Sequence, residues 1–346
     1  MVKSNKKIHM ANKKKILFLY YDPHYAHAAM AKAIKADFYP APKLKSDEKG
    51  IIGFIEGIFQ IINAVITLPK NYDIYFCENT YIIPGIAKKI GLIKGRIINI
   101  FASPLLYYIK TGRIKGISKK LALSTLDEVD TALCIGKMEE KILRELKPNM
   151  KSIVIYPFIK DNIYKKLLNV KSSLNSHKII TIGTHDAYYK GIDIVVDAFM
   201  HIKKQFNDAE LTIVGDMPNI KEIYGKEKGI KIIGKVDNIE DYLKESALYV
   251  HMGRGDTFPV SSLEAMLAGL PVIVSEWTGT KEVVEKVDKN YIIPLNSKKL
   301  ANAIVAHFNK SKIKKQLLSN KFRQSSKWFY KNRVIRKFRE ELSEVI

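Results

Sequence analysis

The chain has 346 residues, which is more than one hydrophobic core usually serves, so two domains are expected. A composition of 47% hydrophobic and 27% charged residues is typical of a packed globular protein and excludes a disordered tail and a collagen-like repeat. The 2 cysteines, Cys77 and Cys134, are too few for a disulfide framework or a cysteine-rich zinc site. They favour a reducing, cytoplasmic compartment.

The formal net charge is +23, and most of the excess lies in the first half of the chain. Such a field attracts phosphate groups, whether they belong to nucleic acid, to anionic lipids or to a phosphorylated small substrate. A solvated, lysine-rich surface is the competing explanation. The charge by itself therefore selects no partner.

The N-terminus combines a basic segment with a short apolar run, as a secretory leader does. The run ends at Asp22 and Pro23 without a small-residue cleavage site, so we interpret it as the first core strand. The loop that follows lacks the glycine fingerprint of dinucleotide binders, which argues against a dehydrogenase. His24 and His27, three residues apart at the edge of a loop, are weak candidates for a metal pair.

Residues 51–68 form the longest apolar stretch of the chain. Polar residues recur in it at spacings of three and four and predict a helix with a narrow polar stripe: Gly53, Glu56, Gly57, Gln60, Asn63 and Thr67. Lysines flank the stretch: Lys43, Lys45, Lys49 and Lys70. Two interpretations stay open, a helix lying in an anionic membrane surface and a helix buried in the first domain.

Short, continuous apolar runs alternate with helical segments along the rest of the chain, which predicts strands covered on both faces of parallel sheets. The runs are residues 15–21, 73–77, 97–101, 132–135, 153–156, 178–183, 210–214, 231–233, 248–251, 271–274 and 291–293. Two doubly wound α/β domains follow from this alternation. The polar segment 170–177 is the best candidate for a linker between them.

In open α/β sheets, ligands bind beyond the carboxyl ends of the strands, so the loops after the apolar runs are informative. Three loops of the second half stand out: residues 183–191, 214–218 and 251–269. In the last of them, a glycine-rich turn leads into a helix, whose first N–H groups predict an anion site suited to a diphosphate. The residues of this turn and first helical positions are Thr257, Phe258, Pro259, Val260 and Ser261.

Three charged side chains complete the predicted site. Lys190, followed by the permissive Gly191, would neutralise the charge on a departing phosphate. Glu264 on the helix can accept two hydrogen bonds from a ribose diol, while Asp256 in the turn reaches the other end of the ligand. Each residue alone could be a surface ion pair or a helix cap, but together they predict a crevice for a nucleoside diphosphate joined to a sugar.

The second half resembles the donor domain of the retaining, nucleotide-sugar-dependent glycosyltransferases of the GT-B fold, family four. The resemblance covers residues 179–308. Asp256 and Glu264 stand where that family has two glutamates separated by seven residues, and Lys190 with Gly191 matches its donor-phosphate lysine. LEAMLAGLPVIVSEWTGTKEVV is similar to the family's helix, strand and glycine-containing turn, and IVGDMP is similar to its nucleoside-side loop.

The chain departs from the family pattern at several positions. An aspartate, Asp256, replaces the first glutamate, and Thr184 and His185 stand in place of an arginine. Arg254 is the candidate to supply the missing positive charge. The histidine that the family places beside the sugar has no match, since Glu78 and Asn79 follow the second predicted strand.

The resemblance implies two Rossmann-like domains facing a cleft. We expect an acceptor-binding domain over residues 1–172, a donor-binding domain over 173–322 and a helical segment over 323–346 that crosses back to the first domain. The aromatic residues Trp328, Phe329 and Tyr330 are candidates to anchor the crossing. The expected catalytic residues are Asp256 and Lys190, and the expected donor-binding residues are Gly183, Thr184, Lys190, Gly215, Arg254, Thr257, Phe258, Pro259, Val260, Ser261 and Glu264.

The expected activity is transfer of a sugar from a nucleoside-diphosphate sugar to a glycan or lipid-linked acceptor, with retention at the anomeric carbon. The sequence has no Asp-x-Asp triplet, so we expect a metal-independent reaction with no cofactor besides the donor substrate. We expect a cytoplasmic protein in peripheral contact with the inner face of the membrane and no nucleic-acid partner. The alternatives are a catalytically silent basic module that binds nucleic acid or anionic membrane, and a sugar-nucleotide epimerase.

Overall fold

The computed structural model describes residues 14–42, 51–184 and 186–346, and within these ranges the side chains of residues 51–55 are not described. The predicted flanking residues Lys43, Lys45 and Lys49, and also His185, lie outside the described residues. Contacts between Cα atoms group the chain into two compact units. Unit 1 comprises the described residues up to 100 together with 120–131, and unit 2 comprises 101–119 and 132–346.

The strands form two six-stranded sheets. The first contains β1 (Ile16–Tyr20), β2 (Asp37–Pro40), β3 (Ile74–Glu78), β4 (Arg96–Phe101), β5 (Thr131–Ile135) and β6 (Ser152–Ile155), in the order β2-β1-β3-β4-β5-β6. The second contains β7 (Lys178–Ile182), β8 (Glu210–Val214), β9 (Ile230–Ile233), β10 (Leu248–His251), β11 (Val272–Ser275) and β12 (Ile292–Ile293), in the order β12-β11-β10-β7-β8-β9. Neighbouring strands pair in parallel in both sheets.

Helices connect the strands as a parallel arrangement requires. Those before residue 170 are α1 (Tyr25–Ala33), α2 (Ile51–Thr67), α3 (Ile82–Lys89), α4 (Leu105–Lys110), α5 (Gly116–Leu126), α6 (Lys137–Leu146) and α7 (Asp161–Leu168). Those after it are α8 (Ile192–Lys203), α9 (Ile220–Tyr224), α10 (Ile239–Glu245), α11 (Val260–Leu267), α12 (Lys281–Val284), α13 (Ser297–Phe308), α14 (Lys312–Ser326) and α15 (Lys331–Ser343).

The predicted fold class is confirmed: the chain has two doubly wound, parallel α/β sheets. Each of the eleven apolar runs is a strand, within one or two residues at its ends. β3, β5, β10 and β11 are buried at every position, because helices cover both faces of a parallel sheet. The strand that the apolar runs did not indicate is β2, at the edge of the first sheet.

The helix predicted over 51–68 is α2, which is buried along one side only. Ala64, Val65 and Leu68 are buried, whereas a second set of apolar side chains points to solvent: Ile58, Phe59, Ile62 and Ile66. α2 is therefore not fully buried in the first domain, because its second set of apolar side chains is exposed to solvent. None of the helices described is long and apolar enough to cross a bilayer.

The C-terminal helices pack next to the last strand of the first sheet, within unit 2. Trp328 and Phe329 contact Tyr156, which follows β6, at ring-centroid distances of 5.5 and 5.8 Å. The N–H of Ile159 donates to the carbonyl of Phe329 at 3.0 Å. The predicted aromatic cluster therefore does anchor the end of the chain on residues 156–159.

Candidate donor-binding site

The switch point of the second sheet lies between β7 and β10, where the order of the strands reverses. Open parallel sheets bind ligands at such a point, beyond the carboxyl ends of the strands. The loop after β7 leads to Lys190, and the loop after β10 carries Asp256. Topology thus brings the two expected catalytic residues to one edge of the sheet.

Glycines let these loops approach each other closely. Gly191 has a φ of 70°, and a Cβ there would lie 1.9 Å from the carbonyl oxygen of Met252. Gly215 has a φ of 121°, and a Cβ there would lie 1.7 Å from the carbonyl oxygen of Gly183. Neither position can hold a side chain without moving the backbone.

A chain of hydrogen bonds runs through the site. Asp256 Oδ2 lies 2.7 Å from Lys190 Nζ and 2.8 Å from His251 Nε2. His251 is buried, and its Nδ1 lies 3.4 Å from the hydroxyl of Tyr249, which is 2.9 Å from Ser261 Oγ. Because His251 Nε2 faces a carboxylate, we assign the proton to it, so that Nδ1 accepts from Tyr249. The network links Lys190 to the first turn of α11.

The electrostatics of Asp256 are set by its two partners. Burial alone would raise the pKa of Asp256, but the charge of Lys190 and the hydrogen bond from His251 outweigh burial and hold that pKa well below its ordinary value. Asp256 is therefore ionised at neutral pH. The Lys190 ammonium donates one of its three N–H groups to Asp256, and the other two are able to donate to a phosphate.

The turn after Asp256 is held by the loop that follows β11. The N–H of Gly279 donates to the carbonyl of Asp256 at 2.8 Å. Thr257 and Phe258 are buried, and the ring of Phe258 packs on Tyr156 at 5.3 Å. Pro259 and Val260 then start α11, with Pro259 as its N-cap residue. The first N–H groups of a helix lack acceptors within the helix, so this fixed turn presents N–H donors to a ligand.

Glu264 lies one turn further along α11. Burial raises the pKa of its carboxyl to about 7, against the smaller opposing effect of Lys160. A carboxyl that titrates near neutrality can accept hydrogen bonds from a diol when it is ionised. The contact of Glu264 with a ribose stays a prediction.

Arg254 is engaged within the protein. Its guanidinium makes a bidentate pair with Asp193, with N···O distances of 2.8 and 2.7 Å, and lies 3.9 Å above the ring of Tyr188. As placed, its charge is committed to α8. Two of its five N–H donors are used by Asp193.

The start of the first loop also lies at the site. A Cβ on Gly183 would contact Lys190 Cγ at 3.2 Å and Met217 Sδ at 3.1 Å. Thr184 is exposed, and its carbonyl accepts from the N–H of Asp186 at 2.9 Å. Gly183 therefore lies next to Lys190, whereas the donor-binding role expected of Thr184 stays a prediction.

Sequence reasoning missed several residues of this site. His251 is the last residue of a strand that is otherwise apolar, and Tyr189 precedes the lysine, donating through its hydroxyl to the carbonyl of Gly255 at 3.2 Å. His251 could have been found from the sequence, because it is a polar residue at the end of an apolar strand. The partner of Arg254, Asp193, lies 61 residues away and had no such signal.

The first sheet has a buried pair at its own switch point, between β1 and β3. His27 Nδ1 lies 2.6 Å from Glu78 Oε1, which also accepts from the N–H of His24 at 3.1 Å. The fold thus brings Glu78, distant in sequence, to both histidines. Within the described ranges, no group of three or more His, Cys, Asp and Glu side chains could hold a metal ion.

Comparison with known proteins shows what the segment that carries these features is similar to. Residues 176–310 match the family model of glycosyl transferases group 1. N-acetyl-alpha-D-glucosaminyl L-malate synthase of Bacillus anthracis is 30% identical over 158 residues, which cover 42% of this chain and 41% of that protein. Phosphatidyl-myo-inositol mannosyltransferase of Mycobacterium leprae is 27% identical over 135 residues, 37% of this chain and 36% of that protein.

The match to these curated relatives spans well under two thirds of their length, whereas the structural likeness extends over the chain. HepE of Anabaena, in a crystal structure with UDP and glucose, aligns with 96% of this chain and 100% of its own, with a TM-score of 0.69 and 18% sequence identity. Residues 176–310, which contain Lys190, Asp256 and Glu264, match the model of the glycosyl transferases group 1 family, and the chain has the fold of GT-B glycosyltransferases.

Proposed function

We propose that this protein is a glycosyltransferase of the hexosyltransferase type that takes a sugar from a nucleoside-diphosphate sugar. The observation that carries the proposal is the contact of Lys190, Asp256 and His251 at the switch point, directly before the N–H groups that start α11. A cation and fixed N–H donors at one edge of a sheet suit a diphosphate. The names of the relatives that share this segment contain a glucosaminyl or a mannosyl group, and HepE was crystallised with UDP and glucose.

The roles of the individual residues are part of this proposal. Lys190 stabilises the charge that develops on the departing phosphate, and Asp256 holds the Lys190 ammonium in place. The turn at 257–261 binds the diphosphate, Glu264 binds the ribose, and Gly183, Thr184 and Gly215 let the backbone approach the donor. Arg254, oriented by Asp193, adds positive charge beside the diphosphate.

We assign donor binding to residues 173–322 and acceptor binding to residues 1–172. The reaction proceeds with retention, as the resemblance implies. It needs no metal ion, because Lys190 and the N-terminus of α11 supply the positive charge that a metal would otherwise bring. The acceptor is a glycan or a lipid-linked molecule. A relative named for phosphatidyl-myo-inositol supports the lipid option.

A peripheral contact with anionic membrane belongs to the same proposal. Ile58, Ile62 and Ile66 recur every four residues along the exposed side of α2, next to Phe59. Beyond the end of α2, Lys70 lines a cavity of about 710 Å³ together with Lys15 and Lys94. An apolar stripe beside clustered amines, on a chain of charge +23, suits an anionic lipid surface.

Nucleotide binding tests the enzyme proposal. We expect UDP, GDP, ADP or CMP to raise the melting temperature, since a ligand at 100 times its Kd stabilises by about 2.7 kcal/mol. Lys190→Ala and Glu264→Ala should each slow release of nucleoside diphosphate from the matching sugar nucleotide by about 10²-fold or more. Lys228→Ala, which changes an exposed lysine, is the matched control.

The products, analysed by mass spectrometry after incubation with a lipid extract and a glycan mixture, identify the acceptor class. If no nucleotide changes the melting temperature, the silent basic module replaces the enzyme. Nucleotide binding with near-normal turnover in both variants would contradict the assigned roles. An isomerised or hydrolysed donor sugar without any glycosylated product would favour an epimerase.

A further inference from the structure

Residues 101–119 lie within the range assigned to the acceptor, and in unit 2 they pack against the donor loops. Tyr107 of α4 is buried, and a Cβ on Gly255, the residue before Asp256, would lie 2.4 Å from Cγ of its ring. The ring of Tyr107 also lies 5.1 Å from the ring of Trp277, in the loop after β11. An acceptor must meet the donor sugar in order to react, so this segment is placed to contact the acceptor beside the donor site.

Aromatic rings connect the same segment to Lys190. Lys190 Nζ lies 5.0 Å from the centroid of the Tyr189 ring, and that ring lies 6.5 Å from the ring of Tyr108 in α4. The guanidinium of Arg113 lies 4.6 Å from the ring of Tyr108 and 5.4 Å from the ring of Tyr188. Arg113 is therefore next to the loop that carries Lys190 and is linked to the ammonium through two tyrosine rings.

The charge of Arg113 is not neutralised by the part of the chain that the structure describes. Two neighbouring cations have acidic partners. Arg254 pairs with Asp193 at 2.7 Å, and Lys110 pairs with Glu145. Arg113 is exposed and forms no ion pair with a described residue. Its guanidinium is thus available to an anion from outside the chain.

The surroundings of Arg113 orient its guanidinium and add no negative charge from its own segment. Contact with the rings of Tyr108 and Tyr188 restrains the guanidinium and leaves the N–H donors in its plane accessible. Residues 101–119 include no aspartate or glutamate. In the facing loop, the carboxylate of Asp186 accepts from a backbone N–H of that loop at 3.0 Å. An exposed guanidinium of this kind suits a phosphate or a carboxylate, often through two parallel hydrogen bonds.

We propose that Arg113 binds an anionic group of the acceptor, a phosphate or a carboxylate, and thereby selects acidic acceptors. The inference rests on the proposed function. The diphosphate of the donor faces Lys190 and the start of α11, so an anion at Arg113 is a second one. The acceptor is the substrate that we assign to the part of the chain from which Arg113 comes.

Transfer to acidic and neutral acceptors tests this inference. A cell extract of lipids and glycans is divided by anion exchange, and each fraction is incubated with wild type and the sugar nucleotides of UDP, GDP, ADP and CMP. We expect glycosylated product from the acidic fraction, and its exact mass distinguishes a phosphate from a carboxylate. In Arg113→Gln the KM of this acceptor should rise about 10- to 100-fold, as expected for losing a hydrogen bond between charged groups. The kcat and the Kd of the nucleoside diphosphate should change less than about threefold.

Further variants separate binding of an anion from a structural role. Arg113→Lys keeps the charge and loses the planar fork, so its KM should lie between those of wild type and Arg113→Gln. Potassium chloride screens an exposed ionic contact, so it should raise the KM of wild type more than that of Arg113→Gln. The matched control is Arg336→Gln, which changes an exposed arginine that pairs with Glu340 at 3.8 Å on α15 and should keep the KM of wild type.

Product from neither fraction, or from the neutral fraction at an equal or lower KM, overturns the inference. An unchanged acceptor KM in Arg113→Gln also overturns it. An equal loss of acceptor and nucleotide binding in this variant would place the arginine on the donor and overturn it as well. If wild type binds none of the nucleotides, the proposed function itself fails, which a loss confined to the acceptor would not imply.

Discussion

Asp256 is shorter by one methylene than the glutamate that the family has at this position, and its short side chain fits a tightly packed turn. Its carboxylate meets Lys190 and His251 at the same oxygen. The turn is also tight, since a Cβ on Gly253 would lie 2.8 Å from the Cβ of Asp256. Asp256 therefore holds the Lys190 ammonium in place, as the proposed role of that ammonium requires.

Glu264 gives the site a dependence on pH. With its pKa raised to about 7 by burial, about half of the Glu264 side chains are protonated at neutral pH. A ribose diol donates hydrogen bonds, so it binds the ionised form, and protonation competes with the nucleotide. We expect the Kd of UDP to be about tenfold higher at pH 6 than at pH 8, measured by calorimetry.

Glu264→Gln is the control for this titration. The variant should bind UDP more weakly and lose the part of the pH dependence that Glu264 causes. The ionisation of the UDP phosphate is common to both proteins, so it cancels in their comparison. A difference between wild type and variant that stays constant from pH 6 to pH 8 would show that Glu264 does not contact the ribose.

Among the elements, the strands could be predicted because each buried strand of a parallel sheet is a continuous apolar run. β2 escaped this reasoning since it is an edge strand of four residues, Asp37–Pro40, that is mostly exposed. It pairs on one side only, with β1. Its sequence therefore carries little of the signal that burial imposes.

The residues of the candidate site could likewise be predicted only in part. The loops could be found because glycines, Lys190, Asp256 and Glu264 follow strands at fixed places in the sequence. The ion pairs of these residues could not be predicted, because they depend on which loops lie close together in the folded chain. Arg254 illustrates this, since its bidentate partner Asp193 lies in α8 and holds the guanidinium that was expected to face a phosphate.

The exposed stripe on α2 predicts lipid binding that depends on apolar side chains. Ile62→Lys combined with Ile66→Lys replaces two side chains that are 47% and 60% exposed, so the fold should be preserved. Each isoleucine buried in a lipid interface contributes roughly 1.5–3 kcal/mol. Flotation with phosphatidylserine liposomes should show at least a tenfold weaker association of the double variant.

The matched control is Ile313→Lys combined with Leu317→Lys, which changes two exposed apolar residues four positions apart on α14. This variant should float as wild type does. Liposomes of phosphatidylcholine alone should bind wild type weakly, because the cavity lined by Lys15, Lys70 and Lys94 favours anionic headgroups. Equal flotation of all three proteins would remove the membrane from the proposed function.

At the level of the chain, unit 2 joins residues that are far apart in sequence. The carbonyl of Phe329 accepts from Ile159, and the hydroxyl of Tyr164 donates to the carbonyl of Lys327 at 3.1 Å. Arg323 donates to the carbonyls of Leu168 and Val170 at 2.9 and 2.6 Å. The C-terminal helices thus fix the segment that leaves the first sheet, next to the ring of Phe258 in the donor site.

Phe338 tests how much this packing contributes. It is buried in α15 and lines a small cavity together with Val154 and Ile155 of β6. Truncating a buried phenylalanine costs about 3–5 kcal/mol. In Phe338→Ala we therefore expect the amides of β6 to exchange hydrogen at least about 100-fold faster, as measured by mass spectrometry. Phe59→Ala removes a phenylalanine that is 67% exposed and should leave these amides unchanged. Unaltered exchange in Phe338→Ala would mean that α15 does not stabilise β6, and the C-terminal helices would then not support the donor site from that side.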